Sequence, residues 1–394
     1  MDIDALLTEV VQMGASDLHL KVGRPPLIRN LSELRPSAYP PVSPEEIMAV
    51  LKEVLDPRRY EDFEANLEVD DAYLIEGVGR FRVNGYFQQG APGVALRYIP
   101  LQAPTIDSLQ LPEVLKDLVT YHQGMILVTG PTGSGKSTTI ASLIEQINAT
   151  RPCHVVTIED PIEFVYTDRL ATINQRQVGL DTHTFEEALK HVLRQDPDVI
   201  LMGEMRDIES MEFALNAAET GHLVLSTLHT NDAKQSVDRI LDMFPGDKAQ
   251  QYRGMLALNL RGVASQRLLL RADGSGRIAA VEVLVNSPHI SELIAEGRTA
   301  ALDREMSSTG EYYRMQTFNQ ALTVLVKAGL VTTDEALSHS ANPADLRLLL
   351  RGVQTGGSAA RRVKRHIEDD DDAPVIPAAG SRILSRGGGG GGGA

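Results

Sequence analysis

The sequence predicts an α/β protein whose main domain is a parallel sheet with helices between its strands, and three observations lead there. Beyond residue 105, apolar runs of strand length alternate with helical patterns, which is the signature of a parallel α/β sheet. The runs cover residues 125–129, 154–158, 199–202 and 223–227. Directly after each run comes a segment rich in glycine, carboxylates or histidine, and ligands of such sheets bind outside the carboxyl ends of the strands. The first of these segments matches the phosphate-binding loop pattern, which needs a strand before it and a helix after it.

The region before this domain has a different texture. Residues 1 to about 100 mix short amphipathic segments with alternating stretches, and residues 71–75 and 80–87 read as neighbouring strands around a Gly-containing turn. Residues 100–104 carry two prolines that break regular structure and predict a linker. We therefore expect an N-terminal domain over 1–100, a phosphate-loop α/β domain over 105–355, and a tail over 356–394. The tail holds a basic cluster (Arg361, Arg362, Lys364, Arg365), an acidic run over 368–372 and seven consecutive glycines over 387–393. Such a composition cannot bury a core, so disorder is expected there.

Composition narrows the function classes. Apolar residues make up 42% and charged residues 23% of the 394, as in ordinary globular proteins. The net charge of −15 argues against a protein that coats nucleic acid, since phosphate neutralisation needs a positive surface, and no direct nucleic-acid partner is expected. A single cysteine, Cys153, excludes an internal disulfide framework or a zinc site built on several thiolates. No apolar run approaches the roughly 18 residues of a transmembrane helix. The start, Met1-Asp2-Ile3-Asp4, is acidic where a secretory signal would be basic and then apolar. A cytoplasmic location follows as the expectation.

Gly130, Pro131, Thr132, Gly133, Ser134, Gly135, Lys136 and Ser137 form the phosphate-binding loop, with Thr138 next on the helix. The glycines let the backbone wrap round phosphates so that N–H groups and the helix N-terminus face the anion. Lys136 should reach the β- and γ-phosphates and Ser137 should bind Mg²⁺. ATP and Mg²⁺ are the expected cofactors.

The other three strand ends supply candidates for chemistry. Glu159, Asp160 and Glu163 place three carboxylates within five residues. Acidic loops are commonly just solvated, but beside a phosphate loop a carboxylate can polarise the attacking water, and Glu163 is our candidate general base. Residues 198–204 form an apolar strand ending in Glu204, the form of a Walker B segment. Glu204 would hold Mg²⁺ through water, and Asp198 reads as structural. The run over 223–227 is flanked by His222 and His229. A lone histidine is often only a packing residue, yet His229 lies at the carboxyl end, where it could sense the γ-phosphate, and His222 lies at the other end. Arg80, Arg82 and Arg97 in the N-terminal region read, on spacing alone, as solvated strand residues.

Together these segments resemble the type IV pilus retraction ATPases (the PilT/PilU family) of the larger secretion ATPase superfamily. The likeness runs from about residue 1 to 350 through residues 14–20, 80–84, 130–137, 159–163, 203–207 and 221–230. It implies a RecA-like P-loop ATPase domain with a smaller PAS-like α+β N-terminal domain, assembled as a homo-hexameric ring with nucleotide between the two domains. It further implies that Arg82 and Arg97 act as arginine fingers on the phosphates. The implied partners are an inner-membrane pilus platform protein and a paralogous pilus ATPase, with the ring peripheral at the inner face of the cytoplasmic membrane. Where well-known retraction ATPases carry Ala-Ile-Arg-Asn-Leu-Ile, residues 289–294 here read His-Ile-Ser-Glu-Leu-Ile. With residues 315–321 and 342–347 this leans toward the PilU-like branch.

Three other readings compete. Extension or secretion-assembly ATPases commonly add a four-cysteine insertion, which one cysteine cannot make. A regulatory subunit without turnover finds no support in boxes where Lys136, Glu163, Glu204 and His229 all stand. A metabolic P-loop kinase would need a second substrate pocket with no signature in this sequence.

Overall fold

Alternation of apolar and polar residues decides the N-terminal part. In a strand, successive side chains take opposite faces, and Leu18, Leu20, Phe81, Val83, Val94 and Leu96 all point to one buried core. They lie on a six-stranded sheet of β1 (Asp17–Lys21), β2 (Leu27–Asn30), β3 (Glu33–Pro36), β4 (Glu68–Ile75), β5 (Gly79–Gln88) and β6 (Ala91–Ile99). The order is β3-β2-β1-β6-β5-β4, antiparallel throughout. The expected strand pair is the β4–β5 hairpin, turned at Gly77 with φ +76°, a value that glycine adopts at no steric cost. Helices Ile3–Gln12, Pro44–Val54 and Pro57–Asn66 contribute Leu6, Leu7, Ile47, Leu51 and Phe63 to the same core. Pro44–Val54 opens with a capping box in which Ser43 and Glu46 satisfy each other's backbone donors.

The structure, a computed structural model, describes residues 1–30, 33–100, 103–244, 246 and 248–352. The expected tail over 356–394 lies outside the described residues, as do Leu101 and Gln102 of the expected linker. Two compact units emerge among the described residues: one of Met1–Ala103 with Pro161–Thr167, and one of Pro104–Asp160 with the described residues from Asp168 onward. Assignment of residues 161–167 to the N-terminal unit is not visible in the sequence. Pro161 ends the strand before it, because proline cannot continue a hydrogen-bonded ladder.

The C-terminal unit holds a seven-stranded sheet of β7 (Gly124–Thr129), β8 (His154–Glu159), β9 (Thr172–Gln177), β10 (Val199–Met202), β11 (Leu223–Leu228), β12 (Leu260–Leu270) and β13 (Arg277–Val285). Its order is β13-β12-β7-β11-β10-β8-β9; all neighbours are parallel except β12 and β13. Every residue of β7, β10 and β11 is buried, as expected where helices cover both faces. Helices Lys136–Thr150, Phe185–Val192, Ile208–Glu219, Ala233–Asp242 and Ala249–Asn259 lie between successive strands. Beyond β13, Phe318–Lys327, Thr333–His339 and Pro343–Leu350 build a second small core on Leu269 of β12 and Ile278 and Ala280 of β13, using Phe318, Leu322, Ala336 and Leu346. Strands β9, β12 and β13 were not among the four runs read from the sequence. No helix among the described residues is long and apolar enough to cross a membrane.

Candidate nucleotide-binding site

The four motif-bearing strands are consecutive in the sheet (β7, β11, β10, β8) and parallel. Their carboxyl ends therefore line one edge, which carries in turn the loop over 130–137, His229, Glu204 and the acidic residues Glu159 and Asp160.

The loop over 130–137 is shaped by its glycines. Gly130, Gly133 and Gly135 have φ of +148°, +78° and +87°, values open to glycine and strained for other residues. A Cβ on Gly130 would lie 2.5 Å from the carbonyl oxygen of Gln266, so the loop passes β12 at a separation that only glycine allows. Helix Lys136–Thr150 starts at Gly135 with no side-chain cap, which leaves its first N–H groups available to an anion. Lys136 is almost buried, and its Nζ donates to the carbonyls of Gly130 at 3.0 Å and Pro131 at 3.2 Å. Pro131, Thr132 and Gly133 are exposed, and Ser137 and Thr138 are half-buried. Ser134 Oγ is buried without a hydrogen-bond partner. A buried, unpartnered hydroxyl in a glycine-shaped loop at an uncapped helix N-terminus fits a phosphate, which would supply the missing acceptor.

The sequence reading missed Gln266. Its buried amide donates to the Ser134 carbonyl at 2.5 Å and accepts from Thr139 Oγ1 at 2.7 Å. One β12 side chain thus ties the loop to the first turn of its helix. Nothing local marks it, because the contacts span 132 and 127 residues of sequence.

Glu204 sits just past β10 between an arginine and a histidine. Arg206 Nη2 is 2.9 Å from one carboxylate oxygen and His229 Nε2 is 3.2 Å from the other. Burial pushes the carboxyl pKa up, but Arg206 and His229 outweigh it and hold Glu204 below its ordinary range. The backbone beneath is fixed by hydroxyls: Thr227 Oγ1 donates to the Gly203 carbonyl at 2.7 Å and Ser226 Oγ to that of Met202 at 2.8 Å. Arg206 is a second residue that the sequence reading passed over, though it lies within the quoted segment 203–207. His222 is at the opposite end of β11, where its Nδ1 lies 3.0 Å from the Ala217 carbonyl. Asp198 accepts from the His154 N–H at 2.8 Å, the work of a strand-end tie.

Of the acidic box, Glu159 is engaged by Thr157 and Gln175 at 2.6 and 3.1 Å, and Asp160 is exposed. Glu163 is exposed and belongs to Pro161–Thr167, counted with the N-terminal unit. The sheet edge itself gathers the phosphate loop, His229, Glu204, Glu159 and Asp160, but not Glu163.

Arg82 and Arg97 are directly paired across β5 and β6. They stand on the face of their sheet opposite the apolar core, beside Asp17 (paired with Arg97) and Arg29 (paired with Asp17). Arg97 Nε donates to Asp17 Oδ1 at 2.7 Å, and Arg82 Nη2 is 3.5 Å from Asp70.

For Mg²⁺ the available donors are the Ser137 hydroxyl and the Glu204 carboxylate, hard oxygen ligands of the class that Mg²⁺ prefers. Among the described residues no group of three or more His, Cys, Asp or Glu side chains is gathered to hold a metal.

The type II/IV secretion system protein family matches residues 81–337. The type IV pilus retraction ATPase PilT of Pseudomonas aeruginosa is 43% identical over 343 residues, covering 87% of this chain and 99% of that protein. The type IV pilus ATPase PilU of the same organism is 41% identical over 351 residues, covering 89% and 92%. The crystal structure of the pilus retraction motor PilT with bound ADP aligns at a TM-score of 0.81 and 43% identity, covering 88% of this chain and 99% of that one. PilT and PilU match almost equally, so whole-chain identity gives no weight to the PilU-like lean of residues 289–294. With the phosphate loop, Glu204 and His229 on one edge of an α/β ATPase sheet, this chain belongs to the PilT/PilU family of pilus ATPases.

Proposed function

We propose that the chain is a Mg-dependent ATP hydrolase that acts as a motor for type IV pilus retraction. One observation carries the catalytic part: the parallel order β7-β11-β10-β8 puts the phosphate loop, His229 and Glu204 side by side at one edge. The retraction part is supported by the 43% identity with PilT along nearly its whole length.

In this reading the phosphates lie on backbone N–H groups of the glycine-rich loop and of the first turn of helix Lys136–Thr150. Lys136 exchanges the carbonyls of Gly130 and Pro131 for β- and γ-phosphate oxygens. Ser137 and Glu204 would hold the Mg²⁺, which would supply positive charge against the phosphates. His229 hydrogen-bonds toward the γ-phosphate, and its link to Glu204 makes the pair respond to loss of that group. Glu163 takes the proton of the attacking water. Arg82 and Arg97 stabilise charge that develops in the transition state. The assembly is a homo-hexamer in the cytoplasm, docked on an inner-membrane platform protein at the inner face of the membrane and working beside a paralogous ATPase.

The test is Mg-dependent ATP hydrolysis by the purified chain, beside Glu204→Ala, with native mass recorded on the same samples. Turnover by a hexamer that the substitution lowers by about 10²-fold or more supports the motor. A folded hexamer that binds ATP without turnover shifts the role to an accessory subunit. Turnover unaffected by Glu204→Ala overturns the site.

A further inference from the structure

Two side chains, one basic on β12 and one acidic on β13, each reach both the segment after His229 and the C-terminal helices. Glu282 is 5% exposed. It accepts from the Ala233 N–H at 2.8 Å through one oxygen and from the Phe318 N–H at 3.3 Å through the other. Those are the first residues of helices Ala233–Asp242 and Phe318–Lys327, and a carboxylate is well placed at a helix N-terminus. Arg267 donates to the His339 carbonyl, brings Nη2 to 3.5 Å from the Asn231 carbonyl, and stacks 4.4 Å from the Phe318 ring centroid.

The register puts both on one face. Ser265 pairs with Glu282 and Arg267 with Ala280, so Ser265, Arg267 and Glu282 share the side of the sheet that faces helix Ala233–Asp242. On that side Ser265 Oγ is 2.8 Å from Thr129 Oγ, which Ser236 approaches at 3.3 Å, and Ser236 is 2.6 Å from Thr230. Residues 230–236 are therefore held from below at Thr129, Glu282 and Arg267, while their chain begins at His229, which touches Glu204. Burying a charged group is costly unless it is paired or fully hydrogen-bonded. A packing role alone would be served by an apolar residue at 282.

We propose that Glu282 and Arg267 are positioning residues that form a coupling clamp: they join the segment His229–Ala233 to the N-terminus of helix Phe318–Lys327, so that nucleotide-dependent movement of His229 displaces the C-terminal helices. This rests on the reading that His229 responds to nucleotide, and it adds where the response goes. Phe318 is the focus of the clamp, with its N–H bound by Glu282 and its ring covered by Arg267. Movement at one end cannot leave the other in place without breaking a hydrogen bond of a buried carboxylate.

The test is amide hydrogen exchange of the full chain with and without Mg²⁺ and a non-hydrolysable ATP analogue. Wild type should show changed exchange in residues 230–236 and also, by at least about fivefold, in residues 318–323. In Glu282→Gln, and in Arg267→Gln as the second variant should the first not fold, the change at 230–236 remains and that at 318–323 is lost. Nucleotide affinity stays within about twofold, because neither residue touches the phosphate loop. No response at 318–323 in wild type overturns the clamp, as does a wild-type response in both variants. The readout is binding, so a failed motor reading shows separately as absent turnover.

Discussion

Each unit holds a carboxylate between two basic side chains, and the two arrangements differ in what they are free to do. Asp17 is 6% exposed on β1, with Arg97 at 2.7 Å and Arg29 at 4.0 Å. Both partners are fixed by strand register, and Ser16 Oγ adds a hydrogen bond at 2.7 Å. Burial raises the Asp17 pKa, but Ser16 and Arg97 outweigh it and hold it below the ordinary carboxylate range. Glu204 has the same electrostatic pattern, yet it stands beyond the last residue of β10 with partners on irregular backbone. Its side chain is 24% exposed, and Arg206 is 70% exposed. A pair locked into a sheet contributes to stability and cannot rearrange cheaply. A pair at the open end of parallel strands, on irregular backbone, is free to rearrange.

That contrast breaks most clearly under isosteric neutralisation. Glu204→Gln should lower ATP turnover by about 10³-fold and leave the melting temperature unchanged. Glu163→Gln should keep ATP binding and lower turnover by about 10²-fold, and single-turnover kinetics would show the loss in the chemical step; full activity removes Glu163 as base. Asp17→Asn should do the reverse of Glu204→Gln. Loss of a buried partner, discounted because Arg97 is largely exposed, should cost about 2 kcal/mol in denaturant unfolding, with ADP affinity unaltered. An unchanged unfolding midpoint would mean that the Asp17 pair is not structural.

The arginines sharpen the same comparison. Arg82 is held only at 3.5 Å from exposed Asp70, whereas Arg97 is tied to Asp17. Arg82→Ala should slow turnover by at least about tenfold with no loss of stability. Arg97→Ala should do both, since it also removes the nearer of the two arginines of Asp17 and leaves it the Ser16 hydrogen bond and Arg29 at 4.0 Å. Equal effects on stability would make the two arginines equivalent, contrary to their hydrogen bonding.

The legible parts of the sequence were those whose signal is local. The phosphate loop is read from eight adjacent residues, and β7, β10 and β11 from apolar runs that only a sheet buried on both faces tolerates. The parts that stayed hidden depend on distant pairings. In β12 and β13, Gln266 and Glu282 look like surface residues that interrupt apolar runs; the structure shows them 1% and 5% exposed. They are satisfied by Ser134 and Thr139, and by Ala233 and Phe318, none of them near in sequence. The tie from Asp17 to Arg97 spans 80 residues and is equally invisible to spacing. Grouping of residues 161–167 with the N-terminal unit was hidden as well, since a proline marks where a strand stops and not where the chain goes next.

Glu282 offers the smallest effect and the most direct comparison with Asp17, because its pKa moves the other way. Burial is the main cause and nearby Asp232 and Asp303 add to it, against the pull of the Ala233 and Phe318 N–H groups; the carboxyl is raised from 4.5 to about 7. Lys234 lies beside Asp303 and is the cation of that acidic group. A raised folded pKa means that the native state keeps its proton where the unfolded chain has lost it. Stability from this group is therefore fully present below about pH 4.5 and is lost as pH rises through about 7. Asp17, lowered in the folded state, does the opposite: its contribution is present at neutral pH and disappears in acid. Between pH 6 and 8 the Glu282 contribution should fall by about 1 kcal/mol, a drop of a few degrees in melting temperature. Glu282→Gln cannot titrate and should flatten that slope, while Asp17→Asn should leave it intact and flatten the acid limb. Parallel wild-type and Glu282→Gln profiles over pH 6–8 would show that the two N–H donors keep the buried carboxylate ionised, in which case the clamp is charged at every working pH.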